Sequence, residues 1–338
     1  MTAASHLAQN KPAENAISAL AALISTDMKA VNALILERMD SEVPLIPQMA
    51  NYLIAAGGKR LRPMLTLASA QLCEYQGQRH QKLACCVEFI HSATLLHDDV
   101  VDESSLRRGQ TSANEIWGNQ ASVLVGDFLF SRAFELMVSD GSLDVLAILS
   151  KASATIAEGE VAQLTTANDL NTSQEHYFRV IRAKTAALFA AACEIGAVIT
   201  DQPKARKEAL HGYGEKLGIA FQLVDDALDY SAKQEKLGKT IGDDFREGKV
   251  TLPVVLAYKQ AGPQERTFWK RCVENLDQEE GDLQKALAYL HQHESLTKTL
   301  TLAQDMATQA KANLSVFPPG PIRQALFNIA DFCVQRSY

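Results

Sequence analysis

Residues 64–202 contain no proline and only seven glycines. Proline removes a backbone N–H and clashes with the preceding turn, and glycine weakens helices through backbone entropy. A stretch this long that avoids both and is rich in Ala, Leu, Glu and Gln is therefore restricted to long helices joined by short turns. Apolar residues recur at three- and four-residue spacing, as in Phe89, Ala93, Leu96 and Val100 and again in Ile181, Ala187, Leu188, Ala191 and Ile195, whereas alternating β-branched runs are scarce. The fold class read from the sequence is all-α. Gly77, Gly109, Gly118, Gly141, Gly212, Gly214, Gly238 and the Pro318-Pro319-Gly320-Pro321 cluster are the expected breaks between helices. No low-complexity linker and no fixed-period repeat divides the chain. Residues 1–14 read as a flexible N-terminal tail and residues 15–338 as one large helical domain, with the most polar stretch, 261–299, as a peripheral helical region.

Hydrophobic residues make up 47% and charged residues 22% of the 338 positions, a balance that excludes a disordered or collagen-like chain. The formal charge of −7 disfavours general binding to nucleic acid and makes any basic cluster conspicuous. Cys73, Cys85, Cys86, Cys193, Cys272 and Cys333 show no CxxC spacing, which suggests neither a zinc site nor a disulfide ladder and fits reduced thiols. The opening residues lack the basic start and apolar run of a signal peptide, and no apolar run approaches the ~18 residues of a spanning helix. A cytoplasmic location is the expectation.

Two acidic triads carry the chemistry. Asp98, Asp99 and Asp102 stand at i, i+1 and i+4, and Asp225, Asp226 and Asp229 repeat that arrangement. On a helix the first and last of each triad share a face and repel each other. One such triad is as well explained by a solvated acidic face. Two identical ones, each set in an apolar helix, need cations, because burial otherwise drives carboxylates toward protonation. Oxygen ligands without paired His or Cys suit Mg²⁺, which keeps waters and shares its shell with phosphates. The cationic partners are at hand in Lys59, Arg60 and Arg62, in Arg107 and Arg108, and in Lys239 and Lys249, with Pro63 placed to start a helix after the first of these clusters. His91, Ala93, Thr94 and Leu95 lie beneath Asp98, and Phe221 and Gln222 beneath Asp225, so that charge caps a mostly apolar groove. A diphosphate with a hydrocarbon tail matches that gradient.

These residues resemble the trans-isoprenyl diphosphate synthases. The likeness spans about residue 20 to the C-terminus and includes, beside both aspartate motifs, Gly-Gly-Lys-Arg-Leu-Arg-Pro at 57–63, Leu-Arg-Arg-Gly at 106–109, Val-Gly-Asp-Phe-Leu at 125–129, Lys184-Thr185, and Gly-Lys-Val-Thr-Leu-Pro at 248–253. It implies a helical bundle with the active-site cavity between helices, a homodimer, and several Mg²⁺ ions per site. Asp98, Asp102 and Asp225 are implied as the principal metal ligands, with Asp99, Asp226 and Asp229 in support. Arg107, Lys184 and Lys239 would grip the allylic diphosphate, with Lys249 a weaker match. Lys59, Arg62, His91 and Arg108, with Arg60 beside them, would form the isopentenyl diphosphate pocket. Thr185 and Gln222 would stabilise the developing allylic cation. The implied reaction is ionisation, condensation and elimination, with the departed diphosphate taking the proton and no aspartate acting as general base. His97 reads as a structural or supporting residue.

In that family the residues four and five positions before the first motif lie under the growing chain, and here they are the small Thr94 and Ala93. A long product is implied, with forty carbons for a ubiquinone side chain as the expectation and a C15–C20 product as the alternative. Release of so apolar a product suggests transient membrane contact. Three competing readings explain less. A metal phosphohydrolase built on His97-Asp98 lacks further histidine ligands, and a terpene cyclase has no use for Lys59, Arg62 and His91. A silent subunit of a heteromeric synthase would not be expected to keep all six aspartates.

Overall fold

The computed structural model describes residues 12–55, 58–107, 109–165, 167–231 and 241–335. The chain begins α1 (Pro12–Leu23), α2 (Ser25–Arg38), α3 (Leu45–Ala55), α4 (Leu61–Leu72) and α5 (Arg79–Val101), continuing through α6 (Ala113–Trp117), α7 (Asn119–Asp140), α8 (Leu143–Thr165) and α9 (Gln174–Ile181). After a π-turn at Arg182–Ala186 come α10 (Ala187–Val198), α11 (Lys204–Asp229) and α12 (Asp243–Arg246). The remainder is α13 (Leu252–Gln260), α14 (Pro263–Trp269), α15 (Asp282–Gln292), α16 (Ser295–Asn313) and α17 (Pro321–Gln335). The two strands among the described residues, β1 (Leu106–Arg107) and β2 (Gln110–Thr111), pair as a small antiparallel hairpin. The chain is all-α, as its composition dictates. α1 starts at Pro12 and so overlaps the end of the tail read from the sequence.

The centre is α10. Apart from Ala187 and Glu194 all of its residues are buried, because α4, α5, α8 and α11 surround it. A helix apolar on every side is stable only inside such a cage. α5 lies along α7, and α11 packs on its other side against α16. Pro63 sits in the first turn of α4, where its missing N–H costs nothing.

Two of the glycines expected to separate helices do not. Gly212 and Gly214 lie inside α11. A Cβ on Gly214 would stand 2.3 Å from the Phe189 carbonyl oxygen, and one on Gly218 would stand 2.7 Å from the Ala186 Cα. Gly214 and Gly218 are spacers: without side chains there α11 can approach the backbone of α10 and of the π-turn, which outweighs glycine's entropic cost, while Gly212 faces the Asn313 side chain of α16. Gly238 lies outside the described residues. The polar stretch 261–299 also does more than cover the surface. Its buried Phe268, Val273, Ala286 and Leu290 build, with Phe245 of α12, a second, smaller core around the fully buried Trp269. No single helix among the described residues is long and apolar enough to cross a membrane.

Candidate active site

Both aspartate motifs fall at the C-terminal ends of long helices. Asp98 and Asp99 lie in the last turn of α5 and Asp102 caps it, its N–H donating to the Asp98 carbonyl at 2.8 Å. Asp225, Asp226 and Asp229 end α11, and neither helix has a basic residue in its last turn. A helix C-terminus carries partial negative charge, so each triad is repelled both by itself and by the helix that bears it. Such an arrangement is stable only if cations face it.

Around the first motif, Asp99 is fully enclosed and paired with Arg107, whose Nε donates to Oδ1 at 2.6 Å. Lys249, 147 residues on in the chain, reaches Asp102 Oδ2 at 3.3 Å and Glu247 at 2.6 Å. Burial acts to lower the Lys249 ammonium, but Asp102 and Glu247 hold it above its ordinary value. Burial pushes the Asp98 carboxyl above the usual carboxylate range, with Lys184 drawing it back and Asp102 pushing it further up.

Lys184 and Thr185 are carried by the π-turn, where the Ala187 N–H donates to the Arg182 carbonyl five residues back. A wide turn of this kind often marks a functional site. It is accommodated by Gly159 on α8, where a Cβ would come within 2.7 Å of the Ala183 Cβ and 3.0 Å of the Lys184 nitrogen. Lys184 Nζ donates to Glu160 at 2.7 Å. Thr185 Oγ1 donates to Gln222 Oε1 at 2.8 Å, and Gln222 Nε2 donates to Asp226 Oδ1 at 2.8 Å. The Tyr177 hydroxyl donates to the other oxygen of Asp226 from α9, a short helix whose start is capped by Ser173 accepting from the His176 N–H at 3.1 Å.

Burial pushes Asp226 up to about 7, opposed by Tyr177 and Gln222 and reinforced by Asp225 and Asp229. Burial likewise takes Asp229 to about 6, although its carboxylate accepts the backbone N–H groups of Asp243 and Asp244. Asp229 thereby caps α12 and orders the segment that delivers Lys249 to Asp102.

The basic turn before α4 faces the same helix one layer down. Arg62 Nη1 donates to His91 Nε2 at 3.0 Å and its guanidinium lies 4.4 Å from the Phe189 ring centre. Lys59 Nζ lies 4.5 Å from the Phe332 ring centre. Arg60, expected beside them, points away toward Glu88. Ala93 is fully buried, and the half-buried Thr94 turns its hydroxyl onto the His91 carbonyl at 2.8 Å. His97 is directed at α7, 3.2 Å from the Val123 carbonyl and 3.4 Å from Asp127. Arg108 and Lys239 lie outside the described residues. Sequence reading missed Tyr177, Glu160 and Asp244, none of which belongs to a local motif.

Among the described residues no group of three His, Cys, Asp or Glu side chains converges to hold an ion unaided. Mg²⁺ takes one or two carboxylates and completes its shell with water and phosphate. The half-buried Asp98, Asp102 and Asp225 at like-charged helix ends offer such a donor set. Asp99, Asp226 and Asp229 are already engaged by Arg107, by Tyr177 and Gln222, and by the start of α12.

Known proteins resemble this chain over most of its length. The chain is 46% identical to octaprenyl diphosphate synthase of Escherichia coli, over 93% of this chain and 97% of that one. The crystal structure of a decaprenyl diphosphate synthase from Rhodobacter capsulatus superposes with a TM-score of 0.92 at 53% identity, covering 95% of this chain and 99% of that one. A polyprenyl synthase from Caulobacter crescentus, solved with calcium and isoprenyl diphosphate, gives 0.92 at 54% identity over 95% and 98%. Residues 43–290 match the family model described as polyprenyl synthetase, and the chain belongs to that family of prenyltransferases.

Proposed function

We propose that the protein is a Mg²⁺-dependent long-chain trans-polyprenyl diphosphate synthase. It adds isopentenyl diphosphate repeatedly to an allylic diphosphate such as farnesyl diphosphate, giving octaprenyl (C40) diphosphate for the ubiquinone side chain. The observation that carries the reading is the pair of aspartate triads at two helix C-termini, linked through Asp226, Gln222 and Thr185 to the π-turn that bears Lys184. Asp98, Asp102 and Asp225 hold the metal, which when bound neutralises the departing allylic diphosphate. Arg107, Lys184 and Lys239 bind that diphosphate and stabilise the charge it gains on leaving. Gln222 and Thr185 turn oxygen dipoles toward the allylic carbon that becomes cationic. Lys59, Arg62, His91 and Arg108 hold isopentenyl diphosphate so that its double bond meets that carbon. No side-chain base is required, because the released diphosphate accepts the proton. Lys249, held on Asp102, and Glu160, held on Lys184, keep these groups oriented.

The protein works as a homodimer in the cytoplasm. In support of the dimer, Val123, Leu124, Phe134 and Val138 are exposed and share one face of α7 by helical spacing, and Leu143, Val161 and Leu164 of α8 are exposed as well. Product release involves transient membrane contact, and liposomes in the assay raise turnover if this is right. The deciding experiment incubates the purified protein with Mg²⁺, farnesyl diphosphate and labelled isopentenyl diphosphate and sizes the dephosphorylated products by chromatography. A C40 product that disappears with EDTA supports the reading. A dominant C15–C20 product overturns the chain length, and no incorporation with any allylic primer overturns the activity.

A further inference from the structure

The three cations of the basic turn do not converge. Lys59 lies against Phe332 of α17 and Arg62 against His91 and Phe189, while Arg60 turns the other way, its Nη1 3.6 Å from Glu88 Oε1 with only 19% and 16% of the two side chains exposed. The backbone makes the divergence. Arg60 is left-handed, with φ 45° and ψ 41°, a conformation that crowds the Cβ of any residue but glycine. Its carbonyl nevertheless accepts the first helical bond of α4 from the Met64 N–H at 3.1 Å. On α5, Glu88 and His91 are three residues apart and share a face, so the turn is fastened to one strip of that helix at two successive points, Arg60 on Glu88 and Arg62 on His91. Beside the first point is a crevice of about 30 Å³ lined by Ile35, Met39, Leu53, Phe89 and Leu129. Both side chains are mostly buried, so the pair is screened less than one on the surface.

We propose that Arg60 and Glu88 are positioning residues for isopentenyl diphosphate. Neither touches the substrate; their ion pair holds the left-handed turn against α5, so that Lys59 and Arg62 present their charges at a fixed separation. This rests on the reading of Lys59, Arg62 and His91 as the isopentenyl diphosphate pocket.

The test measures initial rates for Glu88→Gln, Arg60→Gly and the double variant, varying each diphosphate at saturating concentration of the other, together with melting temperatures. Glycine takes the positive φ without strain, so Arg60→Gly removes the ion pair and keeps the turn permissible. Each single variant is expected to raise KM for isopentenyl diphosphate about tenfold, and the double variant about as much as either single one, because both remove the same interaction. The allylic KM and the melting temperature stay near wild type. If Arg60→Gly raises that KM while Glu88→Gln leaves it unchanged, Arg60 is itself a diphosphate ligand and the proposal is wrong. A rise in both KM values with a lowered melting temperature makes the pair merely structural, which also overturns it. Glu88→Gln is isosteric and decides alone if the glycine variant does not fold. Arg62→Ala is the separate control: an unchanged isopentenyl diphosphate KM there refutes the pocket itself and not the positioning argument.

Discussion

Replacing Tyr177 with phenylalanine takes one oxygen out of the site and leaves the ring packing in place. Tyr177 is 5% exposed and Asp226 is 4% exposed, so water cannot fill the role of the lost donor. A hydrogen bond to a charged acceptor contributes about 1.5–3 kcal/mol and a neutral one about 0.5–1.5 kcal/mol. Burial already pushes Asp226 to about 7, with Tyr177 among the groups that hold it down. The substitution should therefore cost about 2 kcal/mol well above pH 7, where the carboxylate is charged, and about 1 kcal/mol well below it. For a chain of 338 residues the entropy of melting is about 0.7 kcal/mol/K, so the two losses correspond to about 3 °C and about 1.5 °C. The assay is thermal melting of metal-free Tyr177→Phe and wild type at the two pH values and one protein concentration. Turnover is the second readout. Gln222 and Thr185 are anchored through Asp226, so kcat should fall about tenfold while KM for isopentenyl diphosphate, which the proposed function places on the α4 side, is unchanged. A stability loss independent of pH, with kcat intact, refutes the argument that this hydroxyl tunes a charged Asp226.

Asp98→Ala and Asp225→Ala should each lower turnover more than about a thousandfold, with the melting temperature level or raised because each removes a charge from a like-signed helix end; near-normal turnover in either variant takes that residue out of the metal set. The folded-state values of Asp226 and Asp229, about 7 and about 6, lie above the ordinary 3.8, so the native protein retains protons that the unfolded chain has released. Metal-free stability should accordingly fall as pH rises from about 4 to about 7 and level off above, with Mg²⁺ and diphosphate together restoring most at the high end; melting curves that are flat or rising across that window contradict this. Ala93→Tyr introduces a ring at a fully buried position on α5 and should cost about 1–3 kcal/mol by overpacking. If the growing chain runs past this face, chromatography will show a shorter product; an unchanged length puts the tunnel elsewhere.

The fold class was legible because it depends on what the chain lacks. A proline-free run with helical periodicity cannot do much else, and α5, α7, α8 and α10 follow from it. The two acid triads were legible because their chemistry is written in local spacing. What could not be read depends on contacts between helices. Gly214 looks like a break until α10 is set against α11, when it proves to be the gap through which the Phe189 backbone passes, and Gly212 looks like one until Asn313 of α16 is set against it. The π-turn that presents Lys184 and Thr185 reflects packing over Gly159 and has no composition of its own. Tyr177 is 49 residues from Asp226 in sequence, and no one-dimensional pattern joins them. The direction of Arg60 was illegible for a different reason. Its neighbours Lys59 and Arg62 are cations that face other walls, and only the sign of one backbone angle sends Arg60 toward Glu88.

The charge balance of the site bears on how a diphosphate can enter it. Asp98, Asp99, Asp102, Glu160, Asp225, Asp226, Asp229, Asp243 and Asp244 gather around the ends of α5 and α11, and the cations among the described residues there are already committed: Arg107 to Asp99, Lys184 to Glu160, Arg246 to Asp243 and Lys249 to Asp102. A bare diphosphate would meet carboxylates in excess and two helix ends of its own sign. On the function proposed above it arrives with divalent cations or follows them, and Lys249 stays on Asp102 to hold that carboxylate in place. Lys249 is carried by the segment that Asp229 orders through the start of α12. The cation on the first motif is thus held in place by the second, which ties the two triads into one electrostatic unit although they lie on different helices and more than a hundred residues apart.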